Sequence, residues 1–123
     1  MKNKIFIVPH DFTSVADNAL DHALATATLV DAKIYLLHVV AKDKGIQEAE
    51  NQLKDLIEKK QAAVELIPVV RVGSIFEDIG DFAAEHHADL IFMGTHGQHG
   101  WQHITGSHAL KVITHSSVPF VVV

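Results

Sequence analysis

The sequence has no cysteine, few prolines and no long apolar run. The absence of cysteine excludes disulfides, thiolate metal sites and cysteine nucleophiles. No apolar segment approaches the roughly 20 residues that a membrane-spanning helix needs. The first residues, Met1 to Lys4, lead directly into a short apolar run and do not form a signal sequence. We therefore expect a cytoplasmic protein with no membrane partner.

Basic residues are also scarce, since 10 Lys and Arg stand against 15 Asp and Glu and give a formal charge of −5. This balance, with Lys and Arg scattered along the chain, argues against nucleic-acid binding. The apolar fraction of 48% is that of an ordinary globular protein. A chain of 123 residues fits a single domain, residues 1–123, with one core.

Strand-like and helix-like segments alternate along the chain. Apolar runs predict five strands, at Lys4–Val8, Lys33–Val40, Val64–Val72, Asp89–Met93 and Phe120–Val123. Pro68 marks the third strand as an edge strand or a bulge. Capping boxes at Ser14–Asp17 and Ser74–Glu77 open two helices, a charged amphipathic helix follows Gly45, and a last helix runs from about Ser107 to His115. The pattern βαβαβαβαβ predicts an α/β fold, a parallel sheet with helices on both faces.

The segment from Leu90 to Lys111 has the order strand, glycine-rich loop, helix start. Its glycines are Gly94, Gly97, Gly100 and Gly106, and Ser107 follows the last of them. Glycines let backbone N–H groups approach an anion, and the first turn of a helix adds unpaired N–H groups, so this order suits a phosphate. The same residues could instead form a plain connector with Ser107 as helix N-cap. They match neither the Walker loop nor the dinucleotide fingerprint.

A second loop with unusual residues, Pro9-His10-Asp11, follows the first strand. Ligands of open parallel sheets bind at the carboxyl ends of the strands, where the strand order reverses. If the first strand neighbours the fourth, this loop and the glycine loop line one crevice.

These motifs resemble the universal stress protein family over the whole chain. The resemblance is carried by Ile7 to Thr13 (IVPHDFT), Leu36 to Val39 (LLHV), Met93 to Gly97 (MGTHG), Gly106-Ser107 and the final Val118 to Val123. The nucleotide-binding branch of that family has the pattern Gly-x2-Gly-x9-Gly-Ser/Thr. Here eight residues separate Gly97 from Gly106, so the loop is one residue shorter.

The resemblance implies an ATP-binding site, with Mg²⁺ on the phosphates as a further possibility. Pro9, His10 and Asp11 would lie near adenine and ribose, with Asp11 accepting a hydrogen bond from a ribose hydroxyl, and the Val39 backbone would meet the adenine edge. The floor and the phosphate cradle would be formed by Met93, Gly94, Gly97, Gly106, Ser107 and the His108 backbone. Other interpretations of the same residues are a turn or helix-dipole role for Asp11 and core packing for Val39 and Met93.

The resemblance also implies a Rossmann-like open sandwich with strand order 3-2-1-4-5. The fifth strand, Phe120–Val123, would then be an uncharged apolar edge of the kind that pairs with another chain. The family pairs this strand antiparallel in a homodimer, and we expect the same here.

Histidines near the glycine loop allow a different function. His96, His99 and His103 are spaced so that a helix would bring their imidazoles together, and imidazole binds zinc, copper and nickel. No acidic residue between Thr95 and His115 supports such a site. No nucleophile–base pair is recognisable either, so at most slow ATP hydrolysis is expected. The favoured function is a dimeric adenine-nucleotide-binding stress-response module; the alternatives are a dimeric interaction protein without nucleotide and a histidine-based metal-binding protein.

Overall fold

The structure, a computed structural model, describes residues 4–94 and 112–123. Its strands are β1 (Lys4–Pro9), β2 (Ala32–Val40), β3 (Leu66–Val72), β4 (Leu90–Met93) and β5 (Phe120–Val122), and its helices are α1 (Ser14–Val30), α2 (Ile46–Lys60) and α3 (Ile75–Glu85). Residues 112–115 are also helical. All strand pairs are parallel and the order is β3-β2-β1-β4-β5, which confirms the predicted sheet.

Alternate residues of β1 pack into two separate cores. Phe6 and Val8 pack with Leu20 of α1 and Leu53 of α2 on one face. On the opposite face, Ile7 packs in a second core with residues of α3 and with Val112. Because successive side chains of a strand point to opposite faces, the sheet separates two helical layers, as the sequence predicts.

The strand order reverses beside β1. The chain moves outward from β1 through β2 to β3 and then crosses back to β4, which pairs with the other side of β1. The register joins Phe6 to Leu90 and Ile7 to Ile91. The carboxyl ends of β1 and β4 therefore meet at the switch point where open parallel sheets hold their ligands.

Pro68 lies in β3, at an edge of the sheet, as its sequence predicts. The Ile34 N–H donates to Glu65 O (2.9 Å) and the Gly73 N–H donates to Val40 O (2.8 Å). Backbone groups alternate in direction along a strand. The N–H and C=O groups of the odd-numbered residues of β3 therefore point to β2, and the backbone of Pro68 points away from the sheet. Its missing N–H therefore costs the ladder no hydrogen bond.

The two predicted helix starts have different outcomes: α1 begins one residue earlier than its predicted cap implies, whereas α3 begins at Ile75, directly after the predicted Ser74. The N-cap of α1 is Thr13, whose hydroxyl accepts from the Ala16 N–H at 3.3 Å, and Ser14 is the first helical residue. At α3 the Ser74 N–H donates to Asp78 Oδ2 at 2.7 Å. In α1 the N-cap side chain therefore satisfies a first-turn donor, whereas at α3 the carboxylate that reaches back to Ser74 comes from Asp78 and not from Glu77 of the predicted box.

Candidate functional site

The turn between β1 and α1 is held by a chain of hydrogen bonds that starts at Asp11. Asp11 Oδ1 accepts from the Thr13 N–H at 3.2 Å and from the Thr13 hydroxyl at 2.5 Å. The Thr13 hydroxyl oxygen in turn accepts from the first turn of α1. Such a side-chain turn is typical of Asp, and it fixes this carboxylate relative to the helix. The turn role and a ligand role for Asp11 are therefore compatible.

Phe12, inside this turn, has a left-handed backbone conformation with φ of +67°. This conformation costs a bulky residue about 1–3 kcal/mol and is often found at functional sites. The Phe12 N–H donates to His10 Nδ1 at 2.9 Å, and the Phe12 ring lies 4.6 Å from that of His38 between centroids. These contacts hold the strained residue in place.

His10 lies beneath the turn with only 2% of its surface exposed. Since Nδ1 accepts from Phe12, the ring proton is on Nε2, which donates to Asp17 Oδ1 at 3.4 Å. Its backbone is tied to β2, because its N–H donates to Leu37 O and its carbonyl accepts from His38 Nδ1, both at 2.8 Å. Burial lowers the pKa of His10, against the opposing effect of Asp17. The imidazole is therefore neutral near pH 7.

Asp17 links the turn between β1 and α1 to helix α2. Lys60, in the last turn of α2, donates to Asp17 Oδ2 and to Asp21 Oδ1, both at 2.8 Å. The Lys60 side chain is 17% exposed. Burial lowers the pKa of Lys60, but the hydrogen bonds to Asp17 and Asp21 outweigh it and the pKa is raised overall. Sequence reasoning missed this network, because Asp17 and Asp21 share a helix face but nothing in the sequence assigns them a partner on α2.

Val39, near the carboxyl end of β2, places its backbone groups beside the turn that follows β1. The last β1–β2 pair is Pro9 with Leu37, and the His10 N–H still reaches Leu37 O. Backbone direction alternates, and Val40 O accepts from Gly73 beside β3, so the Val39 N–H and C=O face the β1 side. They therefore point past the end of β1, where an adenine edge could pair with them. The Val39 side chain packs into the α3-side core.

Met93 and Gly94 lie at the end of β4. Met93 is fully buried in the α3-side core. A Cβ added at Gly94 would lie 2.8 Å from Val15 Cγ1 and would overlap the Val15 carbonyl oxygen. Only glycine lets the first turn of α1 approach β4 this closely.

The structure thus brings six of the predicted site residues to the carboxyl ends of the central strands: Pro9, His10, Asp11, Val39, Met93 and Gly94. The other four, Gly97, Gly106, Ser107 and His108, lie outside the described residues, as do His96, His99 and His103. Within residues 4–94 and 112–123 no group of three or more His, Asp or Glu side chains could hold a metal ion. In the same ranges no helix is long and apolar enough to cross a membrane.

A cavity of about 410 Å³ lies on the other side of the turn, against α2. It is lined by His10, Phe12, Thr13, Ser14, Asp17, Gln52, Asp55, Leu56 and Lys59. Phe12 and Leu56 belong to the α1/α2 layer, whereas Val39 and Met93 belong to the α3 side. The cavity therefore lies on the α1/α2 face of the sheet.

An open parallel sheet whose order reverses between β1 and β4, with helices on both faces, defines the class of doubly wound α/β proteins. Within this class, the chain matches the universal stress protein family over residues 2–123 and belongs to that family.

Related proteins agree with this assignment. The universal stress protein MJ0577 of Methanocaldococcus jannaschii is 30% identical over 98% of this chain and 94% of its own length. A universal stress protein structure from Archaeoglobus fulgidus in complex with dAMP is 26% identical, with a TM-score of 0.74 over 98% of this chain and 97% of that one. A universal stress protein in complex with cAMP shares the fold at a TM-score of 0.80 and 21% identity, covering 100% and 98% of the two chains.

Proposed function

We propose that this protein binds an adenine nucleotide, ATP in the first instance, in the crevice between the carboxyl ends of β1 and β4. The observation that carries the proposal is the placement of the Asp11 turn and the Val39 backbone at the carboxyl ends of neighbouring strands. Asp11 is fixed there by Thr13, and the backbone of Val39 faces the same crevice beyond the end of β1. A relative from Archaeoglobus fulgidus, 26% identical to this chain, has been solved with dAMP, which supports the same ligand class here.

The described part of the crevice suits the nucleoside. A carboxylate such as Asp11 accepts hydrogen bonds from the two ribose hydroxyls, and the Val39 N–H and C=O match the donor and acceptor on an adenine edge. Met93 and Gly94 would form the floor, and Pro9 would lie near the adenine and ribose. The phosphates, with Mg²⁺ if it is bound, would be held by the predicted cradle, which consists of Gly97, Gly106, Ser107 and the His108 backbone. We propose binding rather than turnover.

Calorimetric titration with ATP, with and without Mg²⁺, tests this function. Asp11→Asn keeps an oxygen that can accept from Thr13 but removes the charge, whereas Asp11→Ala also removes the turn. Since a hydrogen bond to a charged group contributes about 1.5–3 kcal/mol, we expect Asp11→Asn to weaken ATP binding by about tenfold or more and Asp11→Ala further. Asp43→Asn, in an exposed turn before α2, is the matched control.

Unchanged ATP affinity in Asp11→Asn would remove Asp11 from the site.

Gly106→Val tests the phosphate cradle in the same way, because a side chain there would keep the backbone from the phosphate. If the wild-type protein gives neither heat nor a thermal shift at millimolar ATP, the alternative function, an interaction protein without nucleotide, takes precedence.

We further propose that the protein acts as a homodimeric stress-response module joined through β5. The Ile91 N–H donates to Pro119 O at 3.0 Å and the Val123 N–H donates to Met93 O at 2.9 Å. The odd-numbered residues therefore face β4, and the backbone groups of Phe120 and Val122 face outward, where a second β5 can pair. Cytoplasmic location and the absence of nucleic-acid binding stay predictions from the sequence.

A further inference from the structure

His10 is placed to act on the crevice through the turn that follows β1. Its ring is 2% exposed and both ring nitrogens are engaged, Nδ1 by the Phe12 N–H at 2.9 Å and Nε2 by Asp17 at 3.4 Å. The residue that follows is Asp11, whose carboxylate belongs to the same turn. His10 therefore supports the turn that carries Asp11.

Only one protonation state of His10 satisfies these contacts. Nδ1 must offer a lone pair to the Phe12 N–H, so a proton added at Nδ1 would set two donors against each other. Phe12 has a left-handed backbone, and this hydrogen bond is one of the contacts that hold it there. Because Phe12 lies between Asp11 and Thr13, loss of its conformation would move the Asp11 carboxylate.

The charges around the imidazole come from each element that packs on it. Asp17 faces it from α1 and Asp11 from the turn, and both favour the protonated ring. Lys60 reaches in from α2 and disfavours it, and His38 of β2 donates to the His10 carbonyl. Burial is the largest effect and lowers the pKa of His10, so protonation requires a pH below the ordinary histidine value of about 6.5.

We propose that His10 is a positioning residue that makes nucleotide affinity depend on pH: the neutral ring holds Phe12, and through it Asp11, in the binding conformation, and protonation releases them. This inference rests on the proposed nucleotide function of the crevice. It gives the protein a response to acidification that operates through the same site.

Two substitutions of His10 separate the functions of its nitrogens. His10→Asn places an oxygen near the position of Nδ1, so it can accept from Phe12 and does not titrate. His10→Gln places an amide near Nε2, so it can reach Asp17 but leaves the Phe12 N–H without its acceptor. Circular dichroism and thermal unfolding near pH 7.5 establish that both variants are folded.

The measurement is the dissociation constant for ATP at about pH 7.5 and at several lower values down to about pH 4.5, because His10 titrates below the ordinary histidine value of about 6.5. We expect wild-type affinity to fall about tenfold or more at the lowest pH, the change produced by losing one such contact. After correction for the titration of ATP itself, the dissociation constant of His10→Asn should change by less than about twofold over the pH range. His10→Gln should bind ATP weakly at every pH. ATP changes its own phosphate charge in this range, but equally for all three proteins.

A wild-type pH profile in His10→Asn would overturn the proposal. Asp17→Asn supplies a test that leaves His10 intact: loss of the Asp17 charge should lower the pKa of His10 and move the affinity loss to lower pH. An unshifted profile in Asp17→Asn would also count against it.

Nitrogen-15 NMR of the ligand-free protein separates failure of this inference from failure of the proposed function. We expect His10 as the Nε2–H tautomer, with the Phe12 amide signal shifting as His10 titrates. An Nδ1–H tautomer would overturn the inference even if ATP binds well. If ATP does not bind at any pH, the proposed function and the affinity effect both fail, and the NMR titration alone decides whether His10 controls the turn.

Discussion

At the scale of a single residue, Gly94 shows how closely β4 and α1 approach at the crevice. A methyl group there would overlap the Val15 carbonyl oxygen. We expect Gly94→Ala to lower the free energy of unfolding by about 1–3 kcal/mol, as overpacking of a tight contact does, and to weaken ATP binding. Urea unfolding measures the first effect and calorimetry the second.

Gly45→Ala is the control for Gly94→Ala. Gly45 has φ of +93° and nothing within 4 Å of an added Cβ, so an alanine there meets backbone strain alone. That strain costs about 1 kcal/mol and should leave ATP affinity unchanged. Equal effects of the two substitutions on ATP binding would contradict the close-approach explanation.

His10 also makes stability depend on pH. Its pKa is lowered in the folded protein, so below its ordinary value of about 6.5 the unfolded chain binds more protons than the folded chain. The His10 contribution to stability is therefore complete above about pH 6.5 and is lost as pH falls through its lowered pKa.

Urea unfolding at several pH values, compared between wild type and His10→Asn, isolates this contribution because the other histidines are common to both. The wild type should lose stability more steeply below about pH 6.5, by up to about 1.4 kcal/mol for each pH unit. Parallel curves for the two proteins would show that His10 titrates alike in the folded and unfolded states.

At the scale of helices, one lysine joins α2 to α1. Lys60 donates to both Asp17 and Asp21 and is 17% exposed, whereas its neighbour Lys59 is exposed. We expect Lys60→Met to cost about 1–2 kcal/mol, more than the ~0.5 kcal/mol of an exposed pair, because Asp17 also loses a partner. Chemical unfolding measures this cost.

Lys59→Met is a close control, since it removes the same charge from the same helical turn. It should change stability by no more than about 0.5 kcal/mol. If both variants lose equal stability, the effect comes from the charge of the α2 terminus and not from the link to α1.

The sequence was most informative about these elements where periodicity decides them. Strand and helix alternation predicted all five strands, and Pro68 marked the edge of the sheet. The start of α1 was predicted less well, because Thr13 and Ser14 are both good caps and the choice between them depends on Asp11 holding Thr13. The Asp17–Lys60 link joins residues 43 positions apart, and no local pattern specifies it.

The candidate site divides in the same way. The resemblance assigned Asp11 and Val39, and the strand order brings both to one edge. His10 was predicted near adenine and ribose, which stays a prediction, and the structure adds that its ring is buried under the turn. Neither its buried position nor the left-handed Phe12 could be foreseen, since both depend on packing against β2 and α1.

At the scale of the whole molecule, the two sheet edges offer a matched test of dimerisation. Val122 on β5 and Val72 on β3 are exposed to similar extents, 47% and 42%. We expect Val122→Lys to dissociate the dimer, because charges on an edge strand oppose pairing, and Val72→Lys to leave it intact. Sedimentation velocity across a range of concentrations gives the outcome.

Two other results would contradict the proposed interface. A wild-type protein that stays monomeric at high concentration would exclude β5 pairing altogether. Dissociation by Val72→Lys and not by Val122→Lys would transfer the interface to β3.

The outward-facing proline of β3 has a consequence for how large the assembly can grow. A sheet that could accept a new strand at either end would behave as a bifunctional monomer and extend into a filament. Pro68 interrupts the row of outward N–H groups on β3, while β5 presents Phe120 and Val122 without interruption. If β5 pairs as proposed, the chain would offer a single edge for pairing, and growth would stop when two copies have met.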